Sequence, residues 1–223
     1  MELKLFATSQ CPYAQRVMLV MAYKNIPHSI ETIDLKNPPR EFLDLSPLQR
    51  VPILLVNQQD VIFESSIINE FLDEMYPNPT LLPSQPLVKA QHRAWVEFSN
   101  TLLTELHWVC NHKNLNHFEP LMSRMKALNN RMGQGPYFSG KSLALVDLAF
   151  APFLARFFIA KTELTWIHHF SRLEFWFKSL IEIDCISKIF DSNFNNNYLQ
   201  SLRTPQTDQI RIQTTQTIRS PNS

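Results

Sequence analysis

Glycine is almost absent from this chain. Only Gly133, Gly135 and Gly140 occur among 223 residues. The glycine-rich fingerprint that binds dinucleotides therefore cannot be written anywhere in it, which excludes the nicotinamide and flavin enzymes built on that motif. Cysteine is scarce too: Cys11, Cys110 and Cys185 are odd in number and widely spaced, so no disulfide framework is expected. Reduced thiols in the cytoplasm are the expectation. Charge of either sign is not in excess, with 21 basic against 20 acidic residues, so neither duplex nucleic acid nor an anionic membrane is an expected partner. Long hydrophobic runs are missing as well. The longest, Leu148 to Ala160, contains Pro152 and Arg156 and is too short to span a bilayer. No signal peptide is expected, because Met1-Glu2-Leu3-Lys4 leads straight into a strand-like pattern.

An apolar fraction of 44% with 18% charged residues describes a folded globular chain. Residues 3–83 alternate short strand and helix patterns: a strand at Leu3–Ala7, a helix from Pro12, and a strand from Ser29 to Asp34. A short helix over Arg40–Leu45 follows, then two apolar runs around Asn57-Gln58-Gln59-Asp60 that predict a hairpin, then an amphipathic helix over Ser65–Tyr76. This order implies a small α/β layer with a mixed sheet. Pro77, Pro79, Pro83 and Pro86 punctuate the next stretch and mark a linker. Beyond it the β signal disappears. Four helices are predicted: a long one through Trp95 and Val109, then Phe118–Met132, Leu145–Ala160 and Leu173–Ile183. The expected division is residues 1–77, a linker over 78–85, an all-α domain over 86–202 and a flexible polar tail over 203–223.

The most informative segment is Ser9-Gln10-Cys11-Pro12-Tyr13-Ala14-Gln15-Arg16. Pro12 suits the first helical position, which puts Cys11 at the N-cap. A thiol there faces free backbone N–H groups and the positive helix end, with Arg16 nearby, so Cys11 is expected to titrate well below the free thiol value of about 8.5. The thiolate is the form that attacks disulfides and electrophiles. A dithiol oxidoreductase has a second cysteine three residues on; here that residue is Ala14, so a redox Cys11 would need an external thiol. The bland alternative is a small residue tucked under a helix start. Two further segments carry weaker signals. In Arg50-Val51-Pro52 the proline starts a strand, and a cis Val51–Pro52 bond would turn the Val51 backbone toward an extended peptide ligand. In Phe63-Glu64-Ser65-Ser66 a strand gives way to a helix, so Ser65 and the first amides could hold a carboxylate while Glu64 takes an ammonium. Plain strand initiation and plain capping are the alternatives.

Together these three segments resemble the thioredoxin-like domain of glutathione transferases, and the cysteine-type, omega-like members most of all. Asn37-Pro38-Pro39, Asp44 through Pro52, Phe63 through Glu74 and Pro77-Asn78-Pro79 also resemble the bacterial stringent starvation protein A branch. Pro136-Tyr137-Phe138 through Leu145-Val146-Asp147 is similar to the segment entering the core helix of the family's helical domain. The resemblance is strong over 3–83, moderate over 87–190 and absent in the tail. It implies an α/β thioredoxin-like N-terminal domain followed by an all-α C-terminal domain, a homodimer, and glutathione as cosubstrate. Cys11 would meet the glutathione sulfur, Val51 before Pro52 would pair with the cysteinyl backbone, and Glu64 and Ser65 would hold the γ-glutamyl end. The activity implied is glutathione-dependent thiol transfer or reduction of small disulfides; the alternative is a non-enzymatic regulator that binds RNA polymerase. The chain also departs from the pattern. Pro38 stands where omega-like proteins carry a lysine, so Lys36 or Arg50 would have to meet the glycyl carboxylate. Gln49 replaces a glycine, Ala144 replaces a Ser or Thr helix cap worth about 1 kcal/mol, and Asn78 replaces a frequent histidine.

Two patterns are read as decoys. Gly135 to Ser142 matches the phosphate-binding loop letter for letter, but Lys126 to Gln134 is polar and helical where that loop needs a buried strand. His107, Cys110, His112 and His117 fit no standard zinc spacing, and solvated helix-end histidines with no metal are expected. Phe150, Phe153, Phe157 and Phe158 are expected in the core, and Trp95, Trp108 or Phe157 are candidates to line a pocket over Cys11.

Overall fold

A computed structural model describes residues 1–204. Strand β1 (Leu3–Ala7) leads into helix α1 (Pro12–Tyr23), strand β2 (Ser29–Thr32) and helix α2 (Arg40–Leu45). A hairpin of β3 (Ile53–Val56) and β4 (Asp60–Phe63) then precedes α3 (Ser65–Met75). The sheet order is β2-β1-β3-β4, with β1 and β2 parallel and the other neighbours antiparallel. Asn57 and Gln58 both take positive φ, 52° and 58°. That is the geometry of the tight turn whose twist matches a two-strand hairpin.

The alternation along β1 separates two cores. Leu3, Leu5 and Ala7 face the helices, whereas Phe6 joins Ile53, Leu55 and Phe42 of α2 on the other face. Helix α1 is buried against α3 within this layer and against the helical half on its far side. Its buried residues include two polar ones, Gln15 and Arg16, beside Ala14, Val17 and Leu19.

The helical half comprises α4 (Pro86–Asn111), α5 (Phe118–Arg131), α6 (Leu145–Glu163), α7 (Ser171–Ile181), α8 (Asp184–Ile189) and α9 (Ser192–Arg203). Helix α6 carries apolar residues on every side and is buried through most of its length, as a central helix must be, with Asp147 and Arg156 as buried polar exceptions. Phe150, Phe153 and Phe157 lie in its core as expected, with Phe158 half-buried. Among the described residues no helix is long and apolar enough to cross a membrane. Two helices, α8 and α9, exceed the four anticipated. Helix α8 has only six residues, and α9 is rich in asparagine, which hides the four-residue spacing of Phe194, Tyr198 and Leu202. Most of the expected tail lies outside the described residues.

The N-cap of α6 is Ala144, which has no hydroxyl to offer. Asp147 supplies the other half of the cap. Its carboxylate accepts the Ala144 N–H (2.8 Å), the Phe138 N–H (2.7 Å) and the Trp176 indole N–H (2.7 Å). Burial pushes this carboxyl up to about 6 against those three donors.

The proline-rich linker is fastened by one buried ion pair. Lys24 Nζ lies 2.6 Å from Asp73 and donates to the carbonyls of Tyr76 and Pro79. Asp73 in turn accepts the Leu81 and Leu82 N–H groups at 2.8 and 2.9 Å. Two donors of Lys24 and both oxygens of Asp73 are thereby engaged with the chain crossing from one half to the other. Substituting Lys24→Met should cost about 3 kcal/mol, because Asp73 would keep a buried charge without its cation. Urea denaturation measures this; a loss below about 1 kcal/mol would show the pair to be dispensable.

Candidate functional site

Helix α1 begins as its sequence dictates. Pro12 occupies the first helical position and Cys11 is the N-cap, in extended conformation. The Cys11 side chain caps no helical amide in the usual sense; its Sγ donates to the Val51 carbonyl at 3.7 Å. The sulfur also lies where the Ala14 and Tyr13 amides and the Arg156 and Arg16 guanidinium groups favour its anion. Burial outweighs all four and pushes the Cys11 thiol above its ordinary value. The expectation of a strongly acidic thiol is therefore corrected. The amides and Arg16 are present as anticipated, with Arg156 an unanticipated addition, but desolvation by the surrounding protein is the larger effect.

Arg16 does not lean toward the thiol from solvent. It is buried and spans into the helical half, donating to the Ala149 carbonyl (2.8 Å) and to Ser99 Oγ (2.7 Å), with Asn100 as a third acceptor. Arg156, noticed in the sequence only as an interruption of an apolar run, comes the other way. From α6 it donates to the Gln10 carbonyl at 2.6 Å and to Gln15 Oε1 at 2.8 Å. Gln15 completes the arrangement by donating to the Ser9 carbonyl at 2.8 Å. A lone arginine inside an otherwise apolar helical run was the one available signal for it.

A cleft is lined by Tyr13, Ser46, Leu48, Arg50, Val51, Pro52, Phe63, Glu64 and Ser65; Cys11 lies outside this lining and meets it through the Val51 carbonyl. The Val51–Pro52 bond is cis. Ser46 holds the approach to it: its hydroxyl accepts the Arg50 N–H and donates to the Arg50 carbonyl. Glu64, at the N-cap of α3, has φ 69° and ψ 116°, a conformation that non-glycine residues rarely adopt. Gln49, standing at the position expected for glycine, has φ 51°. Thus Val51, Pro52, Arg50, Glu64 and Ser65 share one cleft, whereas Lys36 is exposed and outside its lining. Trp95, Trp108 and Phe157 do not line it; its apolar wall is Tyr13, Leu48 and Phe63.

The phosphate-loop letters fold into something else. Tyr137 and Gly140 close a tight turn by exchanging N–H to carbonyl bonds of 3.1 and 3.2 Å. A Cβ on Gly135 would lie 2.1 Å from the Gly140 oxygen, and Gly140 has φ +130°. Gly135 answers to backbone packing and Gly140 to its backbone conformation. The histidines differ from expectation: His107 and His112 are half-buried and bring their Nε2 atoms within 3.1 Å. Burial, with His112 beside it, pulls His107 down to about 4. Among the described residues no group of three or more His, Cys, Asp or Glu side chains could hold a metal ion.

Comparison with known proteins agrees with this architecture. The family model for the glutathione S-transferase N-terminal domain matches residues 10–75, and that for the C-terminal domain matches 115–179. Glutathione S-transferase omega-1 of Rattus norvegicus is 31% identical over 206 residues, covering 89% of this chain and 85% of that one. A stringent starvation protein A homolog of Haemophilus ducreyi is 31% identical over 160 residues, covering 69% of this chain and 74% of its own. Glutathione transferase Omega 3C from Trametes versicolor superposes with a TM-score of 0.76 at 26% identity, covering 91% of each chain.

The thiol's direction of shift sets a pH dependence. A raised value leaves little thiolate at neutral pH, so alkylation of Cys11 by iodoacetamide should keep accelerating past pH 8.5, roughly the ordinary thiol value. Peptide-level mass spectrometry gives the rate at each pH. A half-point below about 8 would show that the amides and guanidinium groups outweigh burial after all.

Proposed function

Since this chain belongs to the glutathione S-transferase family, we propose that it performs glutathione-dependent thiol transfer, with Cys11 as the nucleophile. The carrying observation is the contact of the Cys11 thiol with the Val51 carbonyl at the edge of a cleft that ends in Arg50, Glu64 and Ser65. This layout is complementary to glutathione. The Val51 backbone can pair with the cysteinyl residue, and the Glu64 carboxylate suits the γ-glutamyl ammonium. Ser65 and the first amides of α3 suit the γ-glutamyl carboxylate. Arg50, which lines the cleft, is the better placed of the two cations for the glycyl carboxylate; Lys36 lies outside it.

The chemistry is thiol–disulfide exchange. The Cys11 thiolate attacks the glutathione sulfur of a mixed disulfide, the S–S bond breaks, and the acceptor leaves as its thiolate. A second glutathione, as thiolate, attacks the glutathione sulfur on Cys11 and releases glutathione disulfide and the Cys11 thiolate. Ala14 stands where an internal resolving thiol would be, and Cys110 and Cys185 are free thiols in the helical half. Turnover therefore draws on free glutathione, which suits the reducing cytoplasm. A homodimer belongs to the same reading. A second reading, a regulator binding RNA polymerase, is favoured by the Haemophilus ducreyi relative; co-purification with RNA polymerase tests it.

Incubation with oxidised glutathione should add one glutathione, on Cys11, by intact-mass analysis. Cys11→Ser should lose both the adduct and the reduction of mixed disulfides; full activity in that variant would refute the mechanism. For the γ-glutamyl subsite, Ser65→Ala should weaken glutathione binding by about 1–3 kcal/mol in calorimetry, the cost of leaving a bound carboxylate short of a donor. Unchanged affinity would remove Ser65 from the site.

A further inference from the structure

Arg156 stands out among the buried groups that the exchange reaction leaves unused. Its guanidinium is buried in α6, yet among the described residues it forms no ion pair with a carboxylate. Its hydrogen bonds go instead to neutral oxygens: the Gln10 carbonyl at 2.6 Å, Gln15 Oε1 at 2.8 Å and the Pro152 carbonyl at 2.8 Å. Two aromatic rings of α9 pack against it, Phe194 at 5.0 Å and Tyr198 at 5.6 Å. A cation held this way forgoes its hydration without recovering an anion, an arrangement that ordinary stability does not favour. Burial accordingly pulls the guanidinium down to about 10.

The bonds point to where the arrangement acts. Gln10 is the residue immediately before Cys11. Its carbonyl is held by Arg156, and the preceding Ser9 carbonyl is held by Gln15, whose own oxygen Arg156 also holds. The Gln10 carbonyl is thus fixed directly from the helical half, and the Ser9 carbonyl indirectly, through the Gln15 amide that Arg156 holds. The planar fork of a guanidinium can bridge Gln10 and Gln15 at once; an ammonium on a flexible stem has no such fork. We propose that Arg156 is a positioning residue for Cys11, clamping the Ser9–Gln10 turn from the helical domain and setting a buried positive charge beside the thiol. This rests on the reading of Cys11 as the nucleophile.

The charged groups acting on the thiol are Arg16 from α1 and Arg156 from α6; the Tyr13 phenol of α1 is pushed up by burial and in turn by Cys11, and Tyr198 of α9 acts on Arg156. Of the two cations, Arg156 is the one bonded to the turn itself. Losing it removes a favourable charge from the thiolate and frees the Gln10 carbonyl.

Rates of Cys11 alkylation by iodoacetamide across pH, in full-length wild type, Arg156→Met and Arg156→Lys, test this. In Arg156→Met the half-point should move up, so that the rate near neutral pH falls roughly tenfold, while the limiting rate at high pH is retained. Arg156→Lys keeps a cation in place and serves should the neutral variant fail to fold. Its half-point should move the same way by less, because the ammonium loses the two-point bridge. A wild-type profile in either folded variant would overturn the proposal. So would an unchanged half-point with a lower limiting rate, which would mean that Arg156 only shapes access. Alkylation needs no glutathione, so this outcome is independent of the adduct assay that tests the function.

Discussion

Helix α1 is squeezed from two sides, and much of the molecule follows from that. One side completes the core of the four-stranded sheet with α3; the other packs on α6 and α8. A helix buried on both sides cannot turn its polar residues to water, so Gln15 and Arg16 must find partners inside. They do so across the boundary between the two halves, in Ser99, Asn100, Ala149 and Arg156. Because α1 begins at Cys11, the same satisfaction of buried donors fixes the turn that carries the thiol. The two halves are therefore not a site and its support: the α6 helix takes part in shaping the segment that ends in sulfur.

The buried ion pair of Lys24 and Asp73 plays the matching part at the other end of α1. It ties the C-terminal end of that helix to the linker and, through Leu81, to the start of α6, whose Leu145 N–H donates to the Leu81 carbonyl at 2.9 Å. Between Arg156 near the first turn and Lys24 at the C-cap, α1 is held to the neighbouring elements by polar contacts at both ends and by apolar packing between them.

Much of this was legible in the sequence, for identifiable reasons. The alternation of Leu3 to Ala7, the Pro12 start, the hairpin around Asn57 and the α3 periodicity are local signals, and each matches its observed element. That Cys11, Val51, Glu64 and Ser65 belong to one place came from the resemblance to glutathione transferases rather than from any local pattern. What escaped was non-local. The shift of the Cys11 thiol depends on how much protein covers it, and no spacing encodes that. Arg156 lies far along the chain from Gln10, and its burial turns on the packing of α9, whose pattern was masked by asparagine. The pairing of His107 with His112 likewise arises where α4 ends, beyond the reach of helical periodicity.

The backbone at Glu64 has an implication for attempts to stabilise this protein. With φ 69° and ψ 116° at the mouth of the cleft, the position costs a glutamate on the order of 1–3 kcal/mol that a glycine would be spared. A search guided by stability alone would choose glycine there, in a chain that otherwise uses so little of it. On the proposed reading of Glu64 as the partner of the γ-glutamyl ammonium, robustness and chemistry pull in opposite directions here. Engineering for heat resistance should therefore leave this junction alone and work on the far side of the helical bundle.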